Sequence, residues 1–160
     1  MTRLGKSAAR VQAFLNAQGL LHSVMELPDS TRTAQEAADS IGCQVAQIAK
    51  TVVFRDLDHN EPVIVVASGV NRVDVAKIKA RTGLQLVKAD ADFIRSQTGF
   101  VIGGVPPAGH DRAIRSLLDH DLQAFTELWA AAGTPHAVFR LTPSDLENLT
   151  GGQWLDIRLL

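Results

Sequence analysis

A lysine sits inside an apolar row in Ala49-Lys50-Thr51-Val52-Val53-Phe54. The two-residue repeat of a strand starting near Ile48 puts Ile48, Lys50, Val52 and Phe54 on one face. Two readings follow. Either the ammonium is partly desolvated, with a lowered pKa or an anionic or carbonyl-bearing ligand opposite it, or only the stem is buried at a strand end. Further along, Gly103-Gly104-Val105-Pro106-Pro107-Ala108-Gly109 mixes residues of free φ with residues of fixed φ. Such a loop brings backbone close to a ligand, and successive amides in it can face the oxygen of an ester under attack. Taken alone, the same composition also makes an ordinary turn after a strand at Phe100 to Ile102. It is not a phosphate-binding P-loop, which ends in Gly-Lys-Ser/Thr.

The remaining reactive side chains are scattered. His22, His59, His110, His120 and His136 show no metal-ligand spacing, and Cys43 adds a single thiol, so neither metal nor other cofactor is expected. His110, beside the glycine-proline loop, and His136, after Gly133-Thr134-Pro135, are candidates for a site donor or proton shuttle; each also reads as a surface histidine. Cys43 follows a helix end, where a thiolate gains nothing, and reads as packing. No Gly-x-Ser-x-Gly elbow is present, and Ser68-Gly69 is too generic to name a serine nucleophile.

The elements that must hold these groups are short. Helices are predicted from Ser7 to Gln18, from a Thr33/Glu36 capping box to Ile41, from Asp74 to Thr82, from Asp90 to near Gly99, and from a Thr142/Asp145 cap through Leu149. Strands are predicted at Ser23 to Leu27, at Ala49 to Arg55 and Pro62 to Ala67 as a hairpin across Asp56 to Asn60, and at Leu84 to Val87, Ala113 to Leu118 and Ala137 to Leu141. Phe125 to Ala132 fits strand or helix, and a short tail follows Gly151-Gly152. No repeat or linker divides the 160 residues, and helices do not alternate strictly with strands, so one mixed α+β domain over 1–160 is expected. A chain of this size buries roughly two thirds of its unfolded surface without staples.

Charge and hydropathy exclude several classes. The formal net charge is -1, so any contact with nucleic acid is local. Arg72, Lys77, Lys79, Arg81 and Lys88 lie near a single acid, Asp74, and read as a phosphate contact or as a solvated helix face. No helix-turn-helix with a basic recognition helix is evident, so DNA is not an expected partner. The N-terminal segment carries Arg3, Lys6 and Arg10 without a long apolar run, and no stretch nears the ~20 apolar residues of a membrane span. With one cysteine and no signal peptide, a cytoplasmic location is expected.

The lysine segment and, later, Thr98-Gly99-Phe100-Val101-Ile102-Gly103-Gly104-Val105-Pro106-Pro107-Ala108-Gly109 together resemble the YbaK/ProX family, free-standing relatives of the editing insertion of bacterial prolyl-tRNA synthetase. The alanine-rich Thr33 to Ile41, Val73 to Ile78 and Leu141 to Leu149 extend the likeness over nearly the whole chain. The resemblance implies a curved, mainly antiparallel or mixed sheet flanked by helices. It also implies hydrolysis, without a metal, of the ester joining a wrong amino acid to tRNA, usually tRNA(Pro), with prolyl-tRNA synthetase as a possible partner. Attack by water or by the substrate's ribose hydroxyl is implied, with Lys50 orienting the terminal adenosine or its phosphate.

Carried over, the family pattern puts Lys50, Gly103 and Gly104 in the catalytic centre and Thr51, Gly99, Val105, Pro106, Pro107 and Gly109 around the substrate, beside His110 and His136. Arg72, Lys77, Lys79 and Arg81 would meet tRNA. Where the cysteine-specific branch has a serine and an aspartate, this chain has Ala131 and Val138, which points to alanine or 2-aminobutyrate. Serine or threonine fits if His136 supplies a donor, and cysteine is disfavoured. A non-catalytic module that binds a tRNA end or a synthetase is the alternative.

Overall fold

The computed structural model of the chain describes residues 4–20 and 22–160; Arg3 of the basic N-terminal group lies outside them. The central hairpin pairs β2 (Ile48–Asp56) with β3 (Glu61–Ser68) antiparallel, from Ala49↔Ser68 to Asp56↔Glu61. Asp56 builds its turn, accepting from the Asp58 amide at 3.0 Å and meeting His59 Nδ1 at 2.9 Å. Val63 to Ala67 are at most 2% exposed, so β3 is covered on both faces. Each such valine or isoleucine contributes roughly 1.5–3 kcal/mol by burial.

Around the hairpin run β1 (Met25–Glu26), β4 (Leu86–Lys88), β5 (Arg115–Asp119), β6 (Leu128–Ala131), β7 (Ala137–Leu141) and β8 (Gln153–Leu155). The sheet order is β1-β7-β6-β2-β3-β5-β8, with β4 also on β2. β2 with β6, β3 with β5 and β5 with β8 are parallel and the other pairs antiparallel, so the sheet is mixed.

Among the described residues five helices cover it: α1 (Lys6–Ala17), α2 (Ala34–Ile41), α3 (Val75–Thr82), α4 (Ala91–Thr98) and α5 (Pro143–Thr150). Thr33, Asp74, Asp90 and Thr142 cap the last four, each side chain accepting a first-turn amide. Because directly paired residues share a face, Lys50 lies with Ala67, Val65 and Val63. On that face α3 packs Ile78 on those valines, and α2 packs Ala37 and Ala38 on Ile48 and Trp129. On the other face α1, α4 and α5 bury Val11, Leu15, Ile94 and Leu146 against Val53, Ile64 and Val66. The result is the expected α+β fold, in three layers.

Several elements differ from the sequence expectation. Phe100 to Ile102 is not a strand: Thr98 Oγ1 takes the Phe100 amide and Val101 O takes the Gly104 amide, so the backbone is satisfied in a local turn. The ambiguous Phe125 to Ala132 region holds strand β6, after a 3-10 turn at His120–Ala124. The tail is no tail, since Gln153–Leu155 forms the outermost strand beside β5.

Candidate active site

Strand β2 changes neighbours along its length, and that change makes room for a site. It pairs with β6 only through Ile48↔Trp129 and Ala49↔Ala130, and with β4 only from Phe54 onward. Beside the intervening stretch, Ile102, Gly103 and Val105 come in from the glycine-proline loop. A pocket of about 210 Å³ lies here. Ile48, Lys50, Trp129, Ala131 and Val138 line it from one sheet face, and Thr31, Arg32, Thr33, Ala34 and Ala37 close it from the start of α2. A second hollow of about 210 Å³ shares Thr51, Ile102, Gly103 and Val105 with it and reaches Lys88.

Lys50 is half-buried. Its Nζ donates to Asn71 O at 3.0 Å, across the turn that follows β3. Burial lowers its pKa, nearby Arg72 adds to the lowering, and the charge of Asp119 opposes both. The ammonium thus meets a backbone carbonyl of the protein at the edge of the pocket. Thr31 and Thr51, both on the pocket wall, each bury a hydroxyl oxygen without a hydrogen-bond partner. A buried hydroxyl left without any partner costs about 1–3 kcal/mol, so each needs water or a bound group in the pocket to pair with it.

Of the residues singled out in the sequence, Lys50, Thr51, Gly103 and Val105 meet at the pocket. Gly103 needs its conformation there, with φ at 88° and a Cβ that would stand 2.8 Å from Arg32 Cγ. Gly104 turns away. Its amide is spent on Val101 O, its carbonyl accepts from the Gly133 amide at 2.8 Å, and a Cβ would stand 2.7 Å from Thr134 Cα. It thus offers no free amide to an oxyanion.

Pro107, Gly109 and His110 line a different hollow of about 340 Å³ beside Phe14. His110 Nε2 donates to Pro106 O at 2.7 Å, and burial lowers its pKa. Gly99 ends α4, and the backbone carbonyl of Gly109 accepts from Arg10, which also pairs with Asp111 at 2.7 Å. His136 is exposed and bonds Asp29 O through Nδ1.

Among the basic residues, Lys77 is committed to Asp156 at 3.1 Å and to Arg158 O, and Arg81 lies 3.8 Å from Asp156; Arg72 and Lys79 are exposed. Cys43 is half-buried against Ala37, Ala38 and Ile48, and burial raises its pKa. Sequence reasoning missed Arg32, Thr31, Trp129 and the Asn71–Asp119 pair. Only Trp129 carried a visible signal, a large aromatic in an ambiguous segment, and it reads as core.

No carboxylate, histidine or cysteine lines the pocket among the described residues. The acidic group Asp119, His120 and Asp121 lies elsewhere, with Asp119 accepting from Ser68 N, Asn71 Nδ2 and Asp121 N. No helix of the described residues is long and apolar enough to cross a membrane.

Residues 28–149, which include every residue of the pocket, match the aminoacyl-tRNA editing domain. The chain belongs to that family. Among its relatives, YwhH of Bacillus subtilis is 30% identical over 139 residues, covering 85% of this chain and 87% of YwhH. EbsC of Enterococcus faecalis, whose name proposes a Cys-tRNA(Pro)/Cys-tRNA(Cys) deacylase, is 26% identical over 126 residues, or 78% and 76% of the two chains. A crystal structure proposed as a trans-editing enzyme for prolyl-tRNA synthetase superposes with a TM-score of 0.92 at 44% identity, covering 99% of this editing-domain chain and 100% of that one. The crystal structure of hypothetical protein APE2540 follows at TM-score 0.86 and 27% identity, covering 94% and 99%.

Proposed function

We propose that this protein hydrolyses, in trans, the ester joining a small wrong amino acid to the 3′ end of tRNA(Pro), in the cytoplasm and alongside prolyl-tRNA synthetase. The observation that carries the reading is a half-buried lysine ammonium at the rim of a small apolar pocket within the matched editing domain. Asn71 O takes one of the three N–H groups of Lys50, which leaves two for the terminal ribose or phosphate. Gly103 gives the ester room to lie against backbone, and the Thr31 and Thr51 hydroxyls offer it polar partners.

With no acid, imidazole or thiol in the wall among the described residues, the chain contributes positioning and electrostatics, while water or the substrate's own ribose hydroxyl attacks. Among the described residues no histidine, cysteine or carboxylate lines the pocket, which supports a metal-independent reaction. Ala130, Ala131 and Val138 keep the pocket narrow and apolar, favouring alanine or 2-aminobutyrate. Serine and threonine fit less well, and their hydroxyls would turn to Thr31 or Thr51 rather than to His136, which does not reach the pocket. Cysteine meets no polar side chain at Ala131 or Val138.

Among the described residues no carboxylate, histidine or cysteine stands in the pocket wall to act as a strong general base or nucleophile, and this favours one second reading, a module that binds the aminoacyl end without cleaving it. A panel of tRNA(Pro) charged with alanine, 2-aminobutyrate, serine, threonine, cysteine or proline, incubated with chelator, separates the two. Selective release of alanine or 2-aminobutyrate is expected, with about 10²-fold loss in a folded Lys50→Ala variant, the scale of removing one preorganised donor. Binding without release from any of them would sink the hydrolase.

A further inference from the structure

The Lys50 ammonium is docked by a carbonyl whose position is set from the opposite side of the Ser68–Asn71 turn. Asn71 is 5% exposed; its backbone amide donates to Ser68 O at 2.9 Å and its carbonyl accepts from Lys50 at 3.0 Å. Its side-chain Nδ2 donates to Asp119 Oδ2 and to Asp121 Oδ2, both at 2.8 Å. Asp119, at the end of β5, is fully buried; it also accepts from the Ser68 amide at 2.9 Å and, through Oδ1, from the Asp121 amide at 3.0 Å. No cation lies within ion-pair distance of Asp119 among the described residues.

A buried carboxylate that is hydrogen-bonded but unpaired is costly, and a neutral side chain could hold a turn of this kind at lower cost. The half-buried Lys50 is linked to it through Asn71, whose carbonyl takes the ammonium and whose side chain donates to Asp119, and the Asp119 charge acts on that ammonium. The other charged groups around this network are Arg72 in the same turn, His120 and Asp121 beyond β5, Arg158, 3.9 Å from Asp121, and Arg32 across the pocket.

We propose that Asp119 is a positioning residue for Lys50: it fixes, through Asn71, the carbonyl that docks the ammonium, and it supplies the buried negative charge facing that ammonium. The role rests on the reading in which Lys50 serves the pocket. Asp119 touches no substrate. It spares Lys50 from turning into solvent when the pocket is empty and holds it charged against the desolvation that the pocket imposes. The direction of its influence is opposite to that of burial and of Arg72.

The test reads the amine itself. Trace acetylation of Lys50 is followed by mass spectrometry across alkaline pH in the wild-type chain, Asp119→Asn and Asn71→Ala, with thermal unfolding alongside. Asp119→Asn should acetylate Lys50 about threefold or more faster at a fixed pH, because more of the amine is unprotonated. Asn71→Ala keeps the backbone carbonyl that accepts from Lys50 and leaves Asp119 its Ser68 and Asp121 donors, but cuts the tie from that carbonyl's residue to Asp119, so it should loosen the ammonium and raise labelling less. An unchanged Lys50 profile in either folded variant overturns the proposal. If Asp119→Asn does not fold, Asn71→Ala decides alone. Labelling needs no tRNA, so its outcome is independent of whether the chain is a deacylase. If it is, Asp119→Asn should raise KM more than it lowers kcat, a split that simple loss of folded protein does not produce.

Discussion

The two halves of the glycine-proline loop are continuous in sequence and serve different places. Ile102, Gly103 and Val105 border the pocket beside Lys50, whereas Pro107, Gly109 and His110 line a hollow against α1. The first half faces a cavity across which Thr31 and Thr51, from other elements, hold hydroxyls without hydrogen-bond partners. In the second, polar groups are closed on one another: His110 on Pro106 O, Arg10 on Gly109 O and Asp111, with the Arg10 guanidinium 4.4 Å over the Phe100 ring. Satisfied polar groups brace; the Thr31 and Thr51 hydroxyls remain open to water or to a ligand in the pocket. One stretch of composition thus carries both a frame and a site, and only the partners tell them apart.

Substitutions sharpen that contrast. The largest effect is expected from Gly104→Ala, whose Cβ would stand 2.7–2.8 Å from three backbone atoms of Thr134 that cannot move aside. A loss of about 2–4 kcal/mol in unfolding free energy should be measured by denaturant titration. Gly103→Ala instead meets the flexible Arg32 stem, though at a strained φ; stability should fall by about 1–2 kcal/mol, while deacylation drops about tenfold because the added methyl enters the pocket.

In the second half, His110→Ala should leave kcat/KM within about threefold of wild type, since the imidazole does not touch the pocket. It should, however, change the pH dependence of stability. Burial lowers the folded pKa of His110, so below about pH 6.5 the unfolded chain takes up the proton first and the wild type loses stability as pH falls. The variant should show a flatter melting curve against pH in that window, and an equal slope would mean His110 is not the group responsible. The smallest effect belongs to Thr31→Val, which removes an unpartnered buried hydroxyl and should raise stability by up to about 1 kcal/mol. If that hydroxyl serves the substrate, KM rises at the same time; unchanged KM would return Thr31 to the frame.

The sequence shows the fold where the cause is local. The hairpin follows from two valine-rich runs around Asp56 to Asn60, and the helix starts follow from caps whose donors are three residues away. Lys50 is visible for the same reason, as a period-two row with one wrong member. What stays hidden depends on distant partners. Asn71 and Asp119 are 48 residues apart, and Lys77 finds Asp156 across 79 residues, which turns part of a basic stretch into a clasp for the C-terminal segment. β8 is three residues long, too short for a period, and takes its conformation from β5. The composition of Gly103 to Gly109 likewise says that the backbone turns sharply and says nothing about which half turns toward Lys50.

The sheet's margins have a consequence for how this protein behaves when crowded. Its two terminal strands, β1 and β8, are two and three residues long, and β4, which borders β2 off the main path, is three. Short margins offer a neighbouring molecule little unpaired backbone to extend. The long, wholly apolar run of β3 is the segment best suited to cross-β stacking, and it is sealed between β2 and β5. Association by strand pairing should therefore need unfolding of the central hairpin first.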